Sequence, residues 1–343
     1  MEKYAYHGPV TAVELFPPDR PNSWLSEEQR ATFKSTQSCL FVGTGPKVRI
    51  YSLKDAVKEK QLIAEYNVLP SAVVHGIRFS HNLSLLAVFG QKFCNVYNIQ
   101  YSYNCPEKRY DDMKLEMLKP SLPGEFRDLI LDAQFLNNDR DGKSEELLSN
   151  DNEIALAFSH NFVEIWSLYP FVRKYCVNCA DHCILYSAKF FGYSRSTLIV
   201  ASGTVFNQIL IWDPLHGTKN NNTYKDESNF LDTNAKSINV KYRLEGHKGV
   251  LFHIDWDTYG DKLISVSDDR TLRCWELKHC DKKYIGDVQL SAKKFKSELF
   301  NSNTSNPTYQ FVNAWSAFGH SARVWKCKFF GSGIITCAED ATA

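Results

Sequence analysis

The chain has 343 residues, with 40 Lys and Arg against 39 Asp and Glu for a net charge of +1, and it is 43% hydrophobic and 13% aromatic. That balance leaves no chain-wide basic field, so any contact with a polyanion must come from a local patch. The 17 Gly and 12 Pro are too few for a collagenous or low-complexity chain, and the aromatic content excludes global disorder.

No apolar run approaches the roughly 18 residues needed to span a bilayer. Met1–Val10 lacks the apolar core of a signal peptide. These features leave the cytosol or the nucleus, and the expectation is a cytoplasmic protein without membrane insertion. Its 10 cysteines are expected as reduced thiols, because Cys39, Cys94, Cys274, Cys327 and Cys337 sit singly on apolar strands.

In chain order, one unit of three short apolar strands recurs. It appears first as Val10–Phe16, Cys39–Gly43 and Lys47–Leu53, then as Val73–Ser80, Leu83–Gly90 and Phe93–Ile99. The third and fourth units are Leu129–Leu136, Glu153–Phe158 and Phe162–Leu168, and Leu185–Phe191, Thr197–Gly203 and Gln208–Asp213. The fifth is Val250–Asp257, Lys262–Ser267 and Thr271–Leu277, and the sixth is Val324–Phe330 and Gly333–Cys337, where the chain stops. An aromatic residue closes the third strand at Tyr51, Tyr97, Trp166, Trp212 and Trp275, and the shorter intervals approach one propeller blade of about 40–45 residues.

Polar insertions at 17–38, 100–127, 137–152, 217–241 and 278–310 are predicted as loops on this strand framework. Within them, Lys114–Leu118 and Ala292–Phe300 are the candidate short helices, and the Asn-rich stretches Asn220–Asn222 and Asn301–Asn306 the candidate mobile ones.

The fifth unit carries Leu244-Glu-Gly246-His247, then Ser265-Val-Ser267-Asp268-Asp269-Arg270-Thr271, then Trp275, and this resembles a WD40 blade. A loop His, a strand Ser, a turn Asp and a Trp at this spacing can form a buried hydrogen-bond network that pins an outer strand to the inner ones. The expected members are His247, Ser265, Asp269 and Trp275. The sixth unit repeats the pattern with His320, Thr336 and Asp340. Earlier units are degenerate: Trp212 has Ser202 at the right offset but no turn Asp, and Tyr51 and Tyr97 replace Trp. The expected fold is therefore all-β, a WD40-type propeller of six recognisable blades with the sixth cut at the C-terminus. Residues 1–343 would form one incomplete N-terminal propeller, part of a seven-bladed ring in a longer multi-propeller protein, with Glu2–Tyr6 a candidate closing strand.

Catalytic signatures are missing: there is no GxSxG, HExxH, GxxxxGK[ST] or GxGxxG. Gly43-Thr-Gly45-Pro46 leads into a strand and not a helix, so it is predicted as a turn and not a phosphate loop. Cys176, Cys179, His182 and Cys183 fit either a zinc site or buried structural thiols. The second reading is favoured because Asp181-His182 stands where Gly246-His247 stands in the fifth unit. The carboxylate pairs Asp268-Asp269 and Glu339-Asp340 fall at turns and are read as structural.

Candidate RNA contacts are Lys282, Lys283, Lys293, Lys294 and Lys296 on the 278–310 insertion, and Lys326 and Lys328 on one strand face. Tyr284, Phe295 and Phe300 lie among the first group. Interleaved cations and rings suit phosphates and exposed bases, while a solvated charged loop is the plainer reading of the same residues.

Val74-His75-Gly76-Ile77-Arg78, Gly246-His-Lys-Gly-Val250, Ser265-Val-Ser-Asp-Asp269-Arg270 and Gly319-His-Ser-Ala-Arg323-Val-Trp325 together resemble the N-terminal part of the WD-repeat accessory subunits of the tRNA wobble ribose 2′-O-methyltransferase. The resemblance covers most of the strand framework and none of the insertions. It implies a non-catalytic subunit that binds an FtsJ-type methyltransferase and helps present tRNA. The partner would hold S-adenosylmethionine, so this chain would have no cofactor and no small-molecule substrate of its own. The alternative is a WD40 scaffold for protein complexes such as ubiquitin ligases or trafficking assemblies, with no RNA role.

Overall fold

The computed structural model describes residues 9–16, 39–54, 59–104, 109–119, 122–137, 153–216, 236–280, 296, 299–300, 309–330 and 333–343. The candidate strand Glu2–Tyr6, the insertion 17–38, residues 138–152, Asn220–Asn222 and Asn301–Asn306 lie outside them. By contacts the chain divides into two compact units, one comprising Met1–Phe135 with Leu147–Asp151 and Tyr169–Phe171, the other the remaining residues through Ala343.

In the first unit, β1 (Val10–Phe16), β2 (Cys39–Thr44), β3 (Lys47–Lys54) and β4 (Glu59–Asn67) form one antiparallel sheet in chain order. A second is formed by β5 (Gly76–Phe79), β6 (Leu85–Gly90), β7 (Phe93–Asn104) and β8 (Arg109–Met117). The strand β9 (Ile130–Leu136) follows. The second strand of each sheet is buried nearly throughout, which is why Leu85–Gly90 reads as an unbroken apolar run. Between the two sheets Phe79 meets Phe16 and Phe41 with ring centroids 5.1 and 5.0 Å apart. The turn joining β2 to β3 is Gly45-Pro46, with Gly45 in the left-handed region at φ 56°, so Gly43-Thr-Gly45-Pro46 is a strand connection.

The second unit begins with β10 (Glu153–Phe158), β11 (Phe162–Leu168) and β12 (Phe171–Cys179). Next come β13 (Leu185–Phe191), β14 (Ile199–Thr204) and β15 (Gln208–Trp212), then β16 (Lys236–Ile238) and β17 (Tyr242–Glu245). β17 completes the sheet of β13–β15, and β16 pairs in parallel with β12, setting Val177 opposite Lys236 and Cys179 opposite Ile238. β18 (Leu251–Trp256), β19 (Lys262–Ser267), β20 (Thr271–His279) and β21 (Tyr309–Phe318) make the next four-stranded sheet. A final pair comprises β22 (Val324–Phe330) and β23 (Gly333–Ala338).

The three-strand units expected from the sequence are all present, with several bounds matched to the residue. Parts of the expected loops are strand instead. β7 runs on to Asn104 and β8 occupies Arg109–Met117, so about half of the segment 100–127 is paired outer strand, and Lys114 to Met117 is extended and not helical. Backbone pairing to β7 decides this, with buried Met113 and half-buried Leu115 as the alternating apolar positions. β16 falls inside 217–241, and β20 and β21 enter 278–310 from both sides. Lys296 and Leu299–Phe300 are helical, as expected for Ala292–Phe300, and Leu299 and Phe300 are buried with Trp256, Trp275 and Phe311 in one cluster.

Among the described residues no helix is long and apolar enough to cross a membrane.

Candidate functional site

Two hydrogen-bond networks, the first buried and the second partly exposed, organise the last blades. At the entry to β18, Gly246 takes φ 155°, a conformation that L side chains rarely adopt, and His247 follows it against β19. Trp275 Nε1 donates to Ser265 Oγ at 2.9 Å, and His247 Nε2 lies 2.8 Å from the same oxygen. His247 Nδ1 is 2.9 Å from Asp269 Oδ2, which also accepts from the Lys248 amide at 2.8 Å. A carboxylate only accepts and an indole N–H only donates. Nδ1–H therefore donates to Asp269, and in the neutral ring Nε2 accepts from the Ser265 hydroxyl. Burial opposes ionisation of Asp269, but donation from His247, Thr271 and the Lys248 amide outweighs it and holds the carboxyl below the usual carboxylate range.

The sixth blade repeats the arrangement. His320 Nε2 lies 2.8 Å from Thr336 Oγ1, and His320 Nδ1 lies 3.2 Å from Asp340 Oδ2, which accepts from the Ser321 amide at 2.9 Å. Thr336 thus stands where Ser265 stands in the fifth blade.

The fourth blade departs from expectation. Trp212 Nε1 donates to Ser202 Oγ at 3.0 Å, but Ser202 donates to Asn161 Oδ1 at 2.9 Å and no histidine takes part. Asn161 belongs to the β10–β11 turn of the preceding blade, where it takes φ 58°, and its amide donates to the Asp181 carbonyl at 2.8 Å. His182 is exposed, so the structural place expected for it belongs to Asn161. Cys176 and Cys179 are buried on β12, and burial pushes the Cys179 thiol up to about 12 and raises Cys183 as well. Such thiols stay protonated at neutral pH, and no group of three or more metal-ligating side chains occurs among the described residues.

The basic residues separate. Lys282, Lys283, Lys293 and Lys294 lie outside the described residues, as do Tyr284 and Phe295. Lys296, expected on RNA, is instead held within the protein: its Nζ donates to Asp213 Oδ1 at 2.9 Å and to the Arg195 and Leu198 carbonyls at 3.0 and 3.1 Å. Three acceptors match the three protons of an ammonium, which corrects its assignment. Phe300 is likewise buried and offers no ring to a base. Lys326 and Lys328 lie exposed on one face of β22, opposite Cys337 and Ile335 of β23.

Ion pairs between first strands of successive sheets escaped sequence reasoning. In the first unit Arg78 reaches Asp132 at 2.6 Å and Glu14 at 3.7 Å. In the second, Asp255 lies 3.6 Å from Lys189 and accepts from the Phe329 amide at 3.1 Å. The recurrence of a charged residue at the same place in each first strand is the signal that could have found them.

Residues 238–276, covering the fifth blade up to Glu276, match the WD domain, G-beta repeat family. That stretch carries a WD40 repeat. It is 26% identical over 308 residues to the human protein named tRNA (34-2'-O)-methyltransferase regulator WDR6, a match covering 88% of this chain and 22% of the relative. The rat protein of that name matches over the same shares at 25%, and the Drosophila melanogaster one at 26% over 45% of this chain and 14% of its own length. The chain therefore spans about a fifth of the length of the curated mammalian relatives it matches. The resemblance read from the short phrases is met by relatives whose name carries the same role.

Proposed function

We propose that the chain is part of a non-catalytic WD40 accessory subunit that binds an FtsJ-type, S-adenosylmethionine-dependent methyltransferase and helps position tRNA for 2′-O-methylation of the wobble nucleotide in the cytoplasm. The observation that carries this reading is the similarity, along 88% of the chain, to proteins named tRNA (34-2'-O)-methyltransferase regulator. The physical character of the blades supports it. Catalysis at one nucleotide needs the substrate held in register, and sheets pinned by buried networks supply positioning without a reacting group. The cofactor belongs to the partner in this account.

The test is reconstitution. The full-length protein is captured from cells, its bound proteins are identified, and methyl transfer from labelled S-adenosylmethionine to unmodified tRNA is measured with each component alone and together. Transfer that requires both supports the reading. Transfer by this protein alone contradicts it, and capture of ubiquitin-ligase or trafficking components without a methyltransferase favours the scaffold alternative.

A further inference from the structure

Three first strands of the second unit share an irregularity. The pairing register shifts between Leu185 and Ser187 in β13, between Leu251 and His253 in β18, and between Val324 and Lys326 in β22. A bulge takes one residue out of the ladder and re-aims its side chain. The residue skipped is aromatic each time: Tyr186, Phe252 and Trp325.

The three rings are in contact in that order. Tyr186 and Phe252 meet edge to face with centroids 6.0 Å apart, and Phe252 and Trp325 lie 4.6 Å apart. Phe252 is half-buried between its neighbours, whereas Tyr186 is 57% and Trp325 40% exposed. In the first unit the residue at the same shift in β1 is Thr11, whose hydroxyl hydrogen-bonds the backbone, so the bulge itself does not require a ring. A row of touching rings whose two outer members are exposed is a candidate contact surface.

Cations flank one end. The Arg323 guanidinium lies 5.6 Å from the centre of the Trp325 ring, held there by Asp268 and Glu339 at 3.2 Å each. Arg270, two residues beyond Asp268, reaches the Ser321 carbonyl at 3.5 Å, and exposed Lys326 follows Trp325 on its strand. Arg270, Arg323 and Lys326 thus stand beside partly exposed rings, Arg323 being paired with two half-exposed carboxylates, and cations beside rings are the chemistry that meets a phosphate backbone with unstacked bases.

We propose that Tyr186, Phe252 and Trp325 form a stacking surface for unpaired nucleotides of an RNA, with Arg323 and Lys326 on the adjoining phosphates. This rests on the tRNA reading above and adds to it the face, the residues and the single-stranded character of the contact.

The test measures binding of the 343-residue chain to two fluorescent probes, a 15-nucleotide oligouridylate and an RNA duplex of equal length, by anisotropy in moderate salt. The chain is expected to prefer the single strand. Tyr186→Ser and Trp325→Ser should each weaken that binding roughly tenfold with the melting temperature unchanged, whereas Tyr186→Phe and Trp325→Phe should keep most of it. Absence of binding by the wild-type chain, or serine variants that bind as well as wild type, overturns the proposal. Serine variants that retain RNA affinity but lose a co-purifying protein overturn it too, and assign the rings to a protein partner. Tyr186→Ser/Trp325→Ser in the full-length protein separates the two claims: wobble methylation that survives with lost oligouridylate binding leaves the accessory role standing without this surface.

Discussion

Ser202 donates to Asn161 across two blades, and this bond does in the fourth blade what the bond to His247 does in the fifth. Ser202 is fully buried and accepts from Trp212, so its proton needs an acceptor. Asn161→Ala is expected to destabilise the chain by about 1–3 kcal/mol by leaving that hydroxyl unsatisfied. His182→Ala, at an exposed position, should stay within about 0.5 kcal/mol. Denaturant unfolding of the two variants checks the difference; equal losses would contradict the assignment.

In the fifth blade, His247→Ala removes the acceptor for Ser265 and the donor for Asp269 together. A loss of about 2–3 kcal/mol is expected. Trp275→Phe and Ser265→Ala should be strongly non-additive in a double-mutant cycle, because each breaks the same 2.9 Å bond. Additive losses measured by thermal unfolding would show that the bond contributes little.

Lys296→Met leaves Asp213 buried without its cation, and a loss of about 3–5 kcal/mol is expected. Lys296→Met/Asp213→Asn should recover part of it, and neither change should alter RNA affinity at equal folded fraction. A fall in affinity with unchanged stability would return Lys296 to the RNA surface.

Between β18 and β19, burial and the neighbouring Asp261 carboxyl push Asp257 up to about 7. The folded chain then holds a proton that the unfolded chain releases above about pH 4. Stability from this group is therefore full at low pH, falls as pH rises toward 7 and levels off above it. Asp261→Asn removes the facing charge and should flatten that slope, gaining about 1–2 kcal/mol at pH 8 relative to pH 5. Urea unfolding at several pH values checks the sign; a gain confined to acid pH would contradict it.

The parts of the fold legible in the sequence were those whose signal is local. Buried second strands such as Leu85–Gly90 and Lys262–Ser267 are short apolar runs between turns, and the His247, Ser265, Asp269 and Trp275 set lies within one repeat. The outer strand β8 exposes Asp112, Lys114 and Glu116 and owes its extension to backbone pairing with β7, so it reads as a loop. Asn161 was missed because its hydroxyl partner lies 41 residues away in another blade, whereas the motif leads to a histidine just before the strand. Lys296 was misread because a lysine enclosed by carbonyls looks, in sequence, like its exposed neighbours. The row of Tyr186, Phe252 and Trp325 arises only when three separate strands are set side by side.

The proposed accessory role in wobble ribose methylation is tested by mass spectrometry of tRNA from cells lacking the full-length protein. Loss of the 2′-O-methyl group at the wobble nucleotide is expected, with other ribose methylations retained. Wobble methylation at the normal level in those cells would contradict it.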